Sequence, residues 1–289
     1  MELIEYQRQA ARTVQRAGDE LADVAVHLLG LLGEAGSVAT EYKKRLRDGE
    51  AHLAWKAKFR EELGDVLWYV AALATSHRLD LDDIARANLE KTRDRWLPTR
   101  TEPLDEAYLE HERLPRSATL EFVTALDQAG RPTAQIQWEG RWCGDPLTDA
   151  SHVEDGYRFH DVLHLAHAAV LGWSPVTRKL LGRKRRSQPE IDLAEDGGRA
   201  IVTEEGIAAL AFAYATGHDY LRGIQRLDQQ FLDVITSLTA HFEVGVRTAA
   251  DWEHAILTGF ATWNQLREHN GGVVTLDATN RTLTFVTPR

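Results

Sequence analysis

Proline is absent from the first 97 residues and glycine is sparse there, so little in that stretch forces a helix to end. Apolar residues recur at spacings of three and four, as in Leu63, Val66, Leu67, Val70, Ala71 and Ala74, which builds one packed stripe along a helix. The pattern predicts helices over Ile4–Arg16, over Ala22–Arg47 with Asp48-Gly49 as its stop, and over Leu53–His77. A fourth, capped by Asp80 or Asp82, ends near Trp96. Four helices of this length with short connections make a bundle over residues 1–97.

Pro98–Pro115 is charged and punctuated by proline, as a linker is, and the texture then changes. Ala118–Leu126 and Thr133–Trp142 are rich in Thr, Val, Ile, Phe and Trp around a turn at Asp127–Pro132, and Val273–Asp277 with Thr282–Val286 flank Asn280. Both pairs read as hairpins. Helical segments are expected at Tyr157–Leu171, Thr203–Thr216, Tyr220–Phe242 and Ala249–His269. The fold class is therefore mainly α: an N-terminal four-helix bundle, then an α+β domain over 116–289 with a small antiparallel sheet.

A net charge of −10 argues against a general nucleic-acid coat and leaves local basic patches open. The single cysteine, Cys143, excludes an internal disulfide and a cysteine-built zinc site. The start, Met1-Glu2-Leu3-Ile4-Glu5, lacks the features of a signal peptide. No apolar run is expected to reach the roughly 20 residues of a membrane span. A cytoplasmic protein without membrane contact is the expectation.

Carboxylates carry the chemical signal. Glu34 and Glu41 stand seven residues apart and return to nearly one face of the second helix, while Glu62 and Asp65, three apart, share a face of the third. Antiparallel packing of the two helices would converge three or four acids, which repel unless a cation joins them. Hard oxygen donors suit Mg²⁺ or Mn²⁺, and Mg²⁺ commonly brings a phosphate-bearing substrate. Lys43, Lys44, Asn88, Lys91, Arg93 and Arg95 offer contacts for a base or for outer phosphates. The competing reading is an ordinary solvated acidic face. Against it, Glu62 and Asp65 interrupt an apolar run, Glu61-Glu62-Leu63-Gly64-Asp65-Val66-Leu67-Trp68-Tyr69. Gly64 costs that helix about 1 kcal/mol relative to alanine, which predicts close packing or a nearby ligand there.

These segments, with Gly33-Glu34-Ala35-Gly36, Asn88-Leu89-Glu90-Lys91 and the early Tyr6-Gln7, Ala10 and Thr13, resemble the MazG-like nucleoside triphosphate pyrophosphohydrolases, all-α Mg²⁺ enzymes related to dimeric dUTPases. The resemblance covers residues 1–97. It implies Glu34, Glu62 and Asp65 as metal ligands, Tyr69 and Asn88 as nucleoside contacts, and Lys44 and Lys91 as phosphate contacts. It further implies attack of a metal-activated water on the α-phosphorus, with Glu34 or Glu62 taking the water's proton. One position departs: Ser37 stands where the family usually has a glutamate, and Glu41, one turn on, points the same way as a substitute. An active enzyme with a rearranged site, a slow one, and a nucleotide-binding sensor that no longer hydrolyses all remain open. Apolar surface left on such a bundle implies at least a homodimer, with the active site near or across the interface.

The C-terminal part has its own constellation. His160, His164 and His167 fall at i, i+4 and i+7, and Asp161 pairs with His164 at i, i+3. Imidazoles one turn apart bind Zn²⁺ or Fe²⁺ well, with Glu204, Glu205 or Asp196 available to complete a site. A hydrogen-bonded core histidine stripe is the bland reading, and a second phosphohydrolase or regulatory site the sharp one. The basic run Arg183-Lys184-Arg185-Arg186 reads as a solvated surface or as a phosphate or nucleic-acid contact.

Overall fold

The computed structural model describes residues 1–15, 20–98, 103–149 and 153–286, and the chain divides into two compact units, Met1–Thr92 and Arg93–Arg289. Arg16, the expected end of the first helix, and residues 99–102 of the expected linker lie outside the described residues.

The first unit is helical: α1 Leu3–Ala11, α2 Glu20–Asp48, α3 Trp55–Ser76 and α4 Leu81–Trp96, whose last turn groups with the second unit. Both α1 and α2 pack on α3. Its small core joins Ala10, Ala71 and Leu81, with Leu3, Tyr6, Trp68 and Val70 against them. Gln7 clips α1 to the α3–α4 turn: its amide donates to the Leu79 carbonyl (2.9 Å) and the Thr75 hydroxyl (3.2 Å), and its oxygen accepts from the Leu81 N–H (2.8 Å). Between α2 and α3 the fit depends on Gly30, where a Cβ would stand 2.2 Å from the Tyr69 ring. Gly64, expected to mark close packing or a nearby ligand, meets nothing within 4 Å of where a Cβ would stand, which overturns the close-packing alternative.

Much of α2's apolar side is uncovered in this unit, with Leu21, Leu29 and Leu32 all about 70–80% exposed. An 18-residue window within Leu21–Ala51 has a mean hydropathy of 1.4. By length and composition that helix could cross a membrane, contrary to the expectation that no run approaches this. Asp23 and Glu34 fall inside the same apolar segment.

In the second unit five antiparallel strands run in the order β3-β2-β1-β4-β5, with β1 Ser117–Leu126, β2 Pro132–Trp138, β3 Arg141–Thr148, β4 Gly272–Asp277 and β5 Thr282–Val286. The expected strand Thr133–Trp142 is two strands. Glu139 (φ 50°) and Gly140 (φ 74°) make a two-residue turn between Trp138 and Arg141, the left-handed pair that suits a tight hairpin. β1 lies at the centre, pairing Leu120 with Trp138 on one side and with Val274 on the other.

Helices α5 Asp161–Leu171, α6 Pro175–Leu180, α7 Pro189–Ala194, α8 Gly198–Thr216, α9 Gln229–Thr239 and α10 Ala249–His269 complete the unit. α5 is buried along its whole length and lies on α10, where Gly259 lets Leu163 and Ala166 approach. The expected helix Tyr220–Phe242 is shorter. Asp219, Tyr220 and Leu221 all take positive φ, which breaks the helix, and α9 starts only after Asp228, whose side chain accepts from the Phe231 N–H (2.8 Å). α10 begins where expected, at a reciprocal capping box between Thr248 and Asp251.

Residues 103–115, expected in a linker, are built into this unit. Asp105 is fully buried, accepting from the Leu114 N–H and Arg116 and pairing with Arg178 at 2.7 Å, and Glu112 accepts from the Ser187 N–H at 2.7 Å. The charges that made the stretch look solvated are the ties that hold it down.

Candidate active site and metal centres

On α3 the three-residue spacing of Glu62 and Asp65 puts both carboxylates on one face, and the packing of α2 brings Glu34 to them. One oxygen from each lies within 4.8 Å of the others, with Glu34 and Glu62 half-buried and Asp65 exposed. Partial desolvation, then the charges of Glu34 and Asp65, raise the Glu62 carboxyl above its ordinary range. That is the signature of acids held together against repulsion. The donors are all oxygen and mutually repelling, so the group fits a hard divalent cation.

Glu41 is not part of this group. It is buried, accepts from Lys44, and lies 3.1 Å from His52 Nε2. Those two contacts outweigh its desolvation and hold it below the usual carboxylate range. The seven-residue spacing does return Glu41 toward Glu34's side of α2, but His52, beyond the helix end, supplies a nearer partner. No local signal in the sequence marked His52. Lys44 is correspondingly engaged with Glu41. Ser37 is half-buried, one turn beyond Glu34.

The Tyr69 ring lies against Gly30 and makes an edge contact with Trp68, their centroids 4.9 Å apart, and His27 joins the same aromatic group. Trp68 Nε1 donates to the Thr13 hydroxyl at 2.8 Å. Asn88 and Lys91 are exposed on α4. Arg95 has another commitment. Within the second unit it sits 3.2 Å from Glu253 and donates to the Leu227 carbonyl at 2.8 Å.

In the second unit the histidine stripe of α5 faces the acidic pair of α8. Glu204 Oε1 stands 3.1 Å from His164 Nδ1 and 3.0 Å from His167 Nδ1, and Glu204 Oε2 accepts from the Val176 N–H at 2.9 Å. Glu205 Oε2 is 3.4 Å from His164 Nε2 and 3.8 Å from His160 Nε2. Burial opposes a charge on His164, but Glu204, then Glu205 and Asp161, push it up to about 10. Burial likewise opposes ionisation of Glu204, and His164 and His167 bring it down to about 2. Burial lowers His160 and His167 and raises Asp161.

Asp196, the other expected partner of the histidines, belongs elsewhere: it is fully buried and binds Arg185 at 2.7 Å, with Arg178 at 3.4 Å. Of the basic run, Arg185 is fully buried between Asp196 and Glu243 (2.8 Å), Lys184 pairs with Asp192 (2.9 Å), and Arg183 lies over the Trp138 ring. Only Arg186 of the four is exposed. The run is largely an internal tie.

Residues 24–97 match the family described as the MazG nucleotide pyrophosphohydrolase domain, and residues 99–289 match the MazG C-terminal domain. The Gene 37 protein of Mycobacterium phage L5 is 35% identical over 96 residues, covering 31% of this chain and 84% of that protein. No solved structure matches the chain. With both of its units accounted for in this way, the chain belongs to the MazG family, a nucleotide pyrophosphohydrolase domain followed by a MazG C-terminal domain.

Proposed function

We propose that the chain hydrolyses (deoxy)nucleoside triphosphates to the monophosphate and pyrophosphate with Mg²⁺, for which Mn²⁺ can substitute. The observation that carries the reading is the convergence of Glu34, Glu62 and Asp65, within 4.8 Å of one another and with the Glu62 pKa raised. Those three side chains would hold the cation. Its chemistry there is to neutralise the triphosphate and to acidify a water.

The remaining work falls to the chain. Glu34 or Glu62 takes the proton of the water at a carboxylate oxygen as the water attacks the α-phosphorus. The bond from that phosphorus to the bridging oxygen breaks, and pyrophosphate leaves. Tyr69, fixed against Gly30, and Asn88 receive the nucleoside, while Lys44 and Lys91 meet the phosphates. The uncovered leucines of α2 support assembly into at least a homodimer, with the site near the shared face.

Product analysis tests this directly: purified chain with Mg²⁺ and a panel of triphosphates, resolving monophosphate, diphosphate, pyrophosphate and phosphate. Monophosphate with pyrophosphate is expected, and release of diphosphate and phosphate would refute it. A second reading, a nucleotide sensor with weakened catalysis, is favoured by one observation. Ser37 supplies no carboxylate and Glu41, its nearest substitute, is taken up by Lys44 and His52. A large gain in turnover for Ser37→Glu would support the sensor, and no gain would remove it.

A further inference from the structure

We propose that the second unit holds a divalent transition-metal ion between α5 and α8, ligated by His160 Nε2, His164 Nε2, Asp161 and Glu205. His160, Asp161 and His164 each place a donor within 4.8 Å of the other two. Glu205 Oε2 closes the set at 3.4 Å from His164 Nε2 and 3.8 Å from His160 Nε2, and Asp161 Oδ1 is also 3.8 Å from His160 Nε2. Ligands sharing one ion at about 2.0–2.2 Å stand roughly 3–3.5 Å apart, so only a slight closing is needed.

The orientation of the rings points the same way. His160 Nδ1 lies 2.9 Å from the Tyr157 carbonyl oxygen. A carbonyl can only accept, so the proton sits on Nδ1 and the lone pair of Nε2 faces Asp161 and Glu205. The Tyr157 ring stacks on His160 with centroids 4.3 Å apart and fixes its plane. Behind His164, Glu204 Oε1 faces Nδ1, the carboxylate-behind-imidazole arrangement that orients metal-binding histidines.

His164 supplies an independent observation. It is wholly buried between Glu204, 3.1 Å from Nδ1, and Glu205, 3.4 Å from Nε2, and neither contact has the directed geometry of a hydrogen bond. Coordination at Nε2 would give that nitrogen the directed partner that Glu205 alone does not supply. Asp161, Glu204 and Glu205 all act on His164, a concentration of negative charge that a divalent ion offsets. Two imidazoles with two carboxylates select Zn²⁺, Fe²⁺ or Mn²⁺ over Mg²⁺. The Glu205 side chain is 43% exposed, so one side of the ion would face water and leave a position for water or a substrate oxygen.

The test uses the full chain carrying Glu62→Ala and Asp65→Ala, so that the N-terminal acids cannot report. It thus stands apart from the proposed triphosphate chemistry. After chelation, Co²⁺ is titrated and followed by its visible bands and by imidazole scattering in X-ray absorption. One Co²⁺ per chain with nitrogen ligation is expected. His160→Ala and Glu205→Gln should each weaken binding by more than about 100-fold, beyond the 10–100-fold cost of losing an outer-shell partner. Glu205, being partly exposed, keeps the test informative if His160→Ala unfolds. Absence of bands, or binding that survives Glu205→Gln within a few-fold, would overturn the proposal. In that case His164 is simply the buried cation that balances Glu204 and Glu205.

Discussion

Gly30→Ala should couple strongly to Tyr69. A Cβ at position 30 would stand 2.2, 2.3 and 2.6 Å from Cε1, Cζ and Oη of Tyr69, too close for any real contact, and an aromatic ring cannot bend away as the tip of a lysine can. Forcing a methyl into such a contact costs about 1–3 kcal/mol, while replacing glycine by alanine inside a helix returns about 1 kcal/mol. In the wild-type background the net effect is a loss of up to about 2 kcal/mol. With Tyr69→Ala present the clash disappears and the same substitution becomes stabilising by about 1 kcal/mol. The sign therefore reverses, with a coupling of about 1–3 kcal/mol, or roughly a 5- to 150-fold change in opening equilibrium. Hydrogen exchange of α2 and α3 peptides, read by mass spectrometry in the intact chain, measures it locally. In the proposed reaction Gly30→Ala should also raise KM more than it lowers kcat, since Tyr69 is displaced while the acids stay. A coupling below about 0.5 kcal/mol, or equal destabilisation in both backgrounds, would refute the close approach of α2 to α3 at this point.

Glu34→Ala or Asp65→Ala should abolish Mg²⁺ binding by the first unit, whereas Glu41→Ala should leave it within a few-fold in isothermal titration, because Glu41 is held by Lys44 and His52. Since the folded-state pKa of Glu62 is raised, its protonated form favours folding, a contribution present below the unfolded pKa and lost as pH rises through the folded one. The metal-free chain should thus gain local stability on acidification into the carboxylate range. Glu62→Gln should flatten that response in hydrogen exchange at several pH values. Asp105→Ala removes the nearest carboxylate of Arg178, 1% exposed, leaving it only Asp196 at 3.4 Å, which Arg185 already binds, and should cost about 3 kcal/mol in denaturant unfolding of the second unit. Burial raises the Asp105 pKa, but Arg178, the Leu114 N–H and Arg116 overcome it and hold it low. Its contribution is present above the unfolded pKa and fades as pH falls through the folded one.

What the sequence revealed followed from periodicity. The apolar spacing along α3 and the i, i+3 placement of Glu62 and Asp65 are local facts, so the helices and that half of the acidic group could be read before the fold was known. The α5 histidine stripe was local in the same way, and its meeting with Glu204 and Glu205 needed only two helices to face each other. What escaped depended on partners distant along the chain or on backbone conformations that residue type suggests weakly. Arg95 and Arg185 looked like phosphate ligands, but a buried carboxylate 158 residues away claims Arg95, and a half-buried one 58 residues away claims Arg185. Glu139 does not announce a left-handed turn, so the expected strand runs on from β2 into the first two residues of β3 and misses the rest of β3. The break at Asp219–Leu221 likewise hides in a sequence that continues to look helical.

The order of strands has a consequence for how the second unit is made. β1 is the central strand, and its neighbour on one side, β4, follows after some 150 residues, with Ser117 opposite Asp277. Until residues 272–286 have left the ribosome, β1 and β2 form part of a sheet with an open edge, exposing unpaired N–H and C=O groups beside Leu120 and Phe122. Closing so long a loop is slow and invites pairing with another chain in the interval. α10, which backs the histidine helix, also arrives late, so no partial product can assemble that face of the protein. Shortening the chain before β4 should therefore yield aggregates rather than a smaller folded unit.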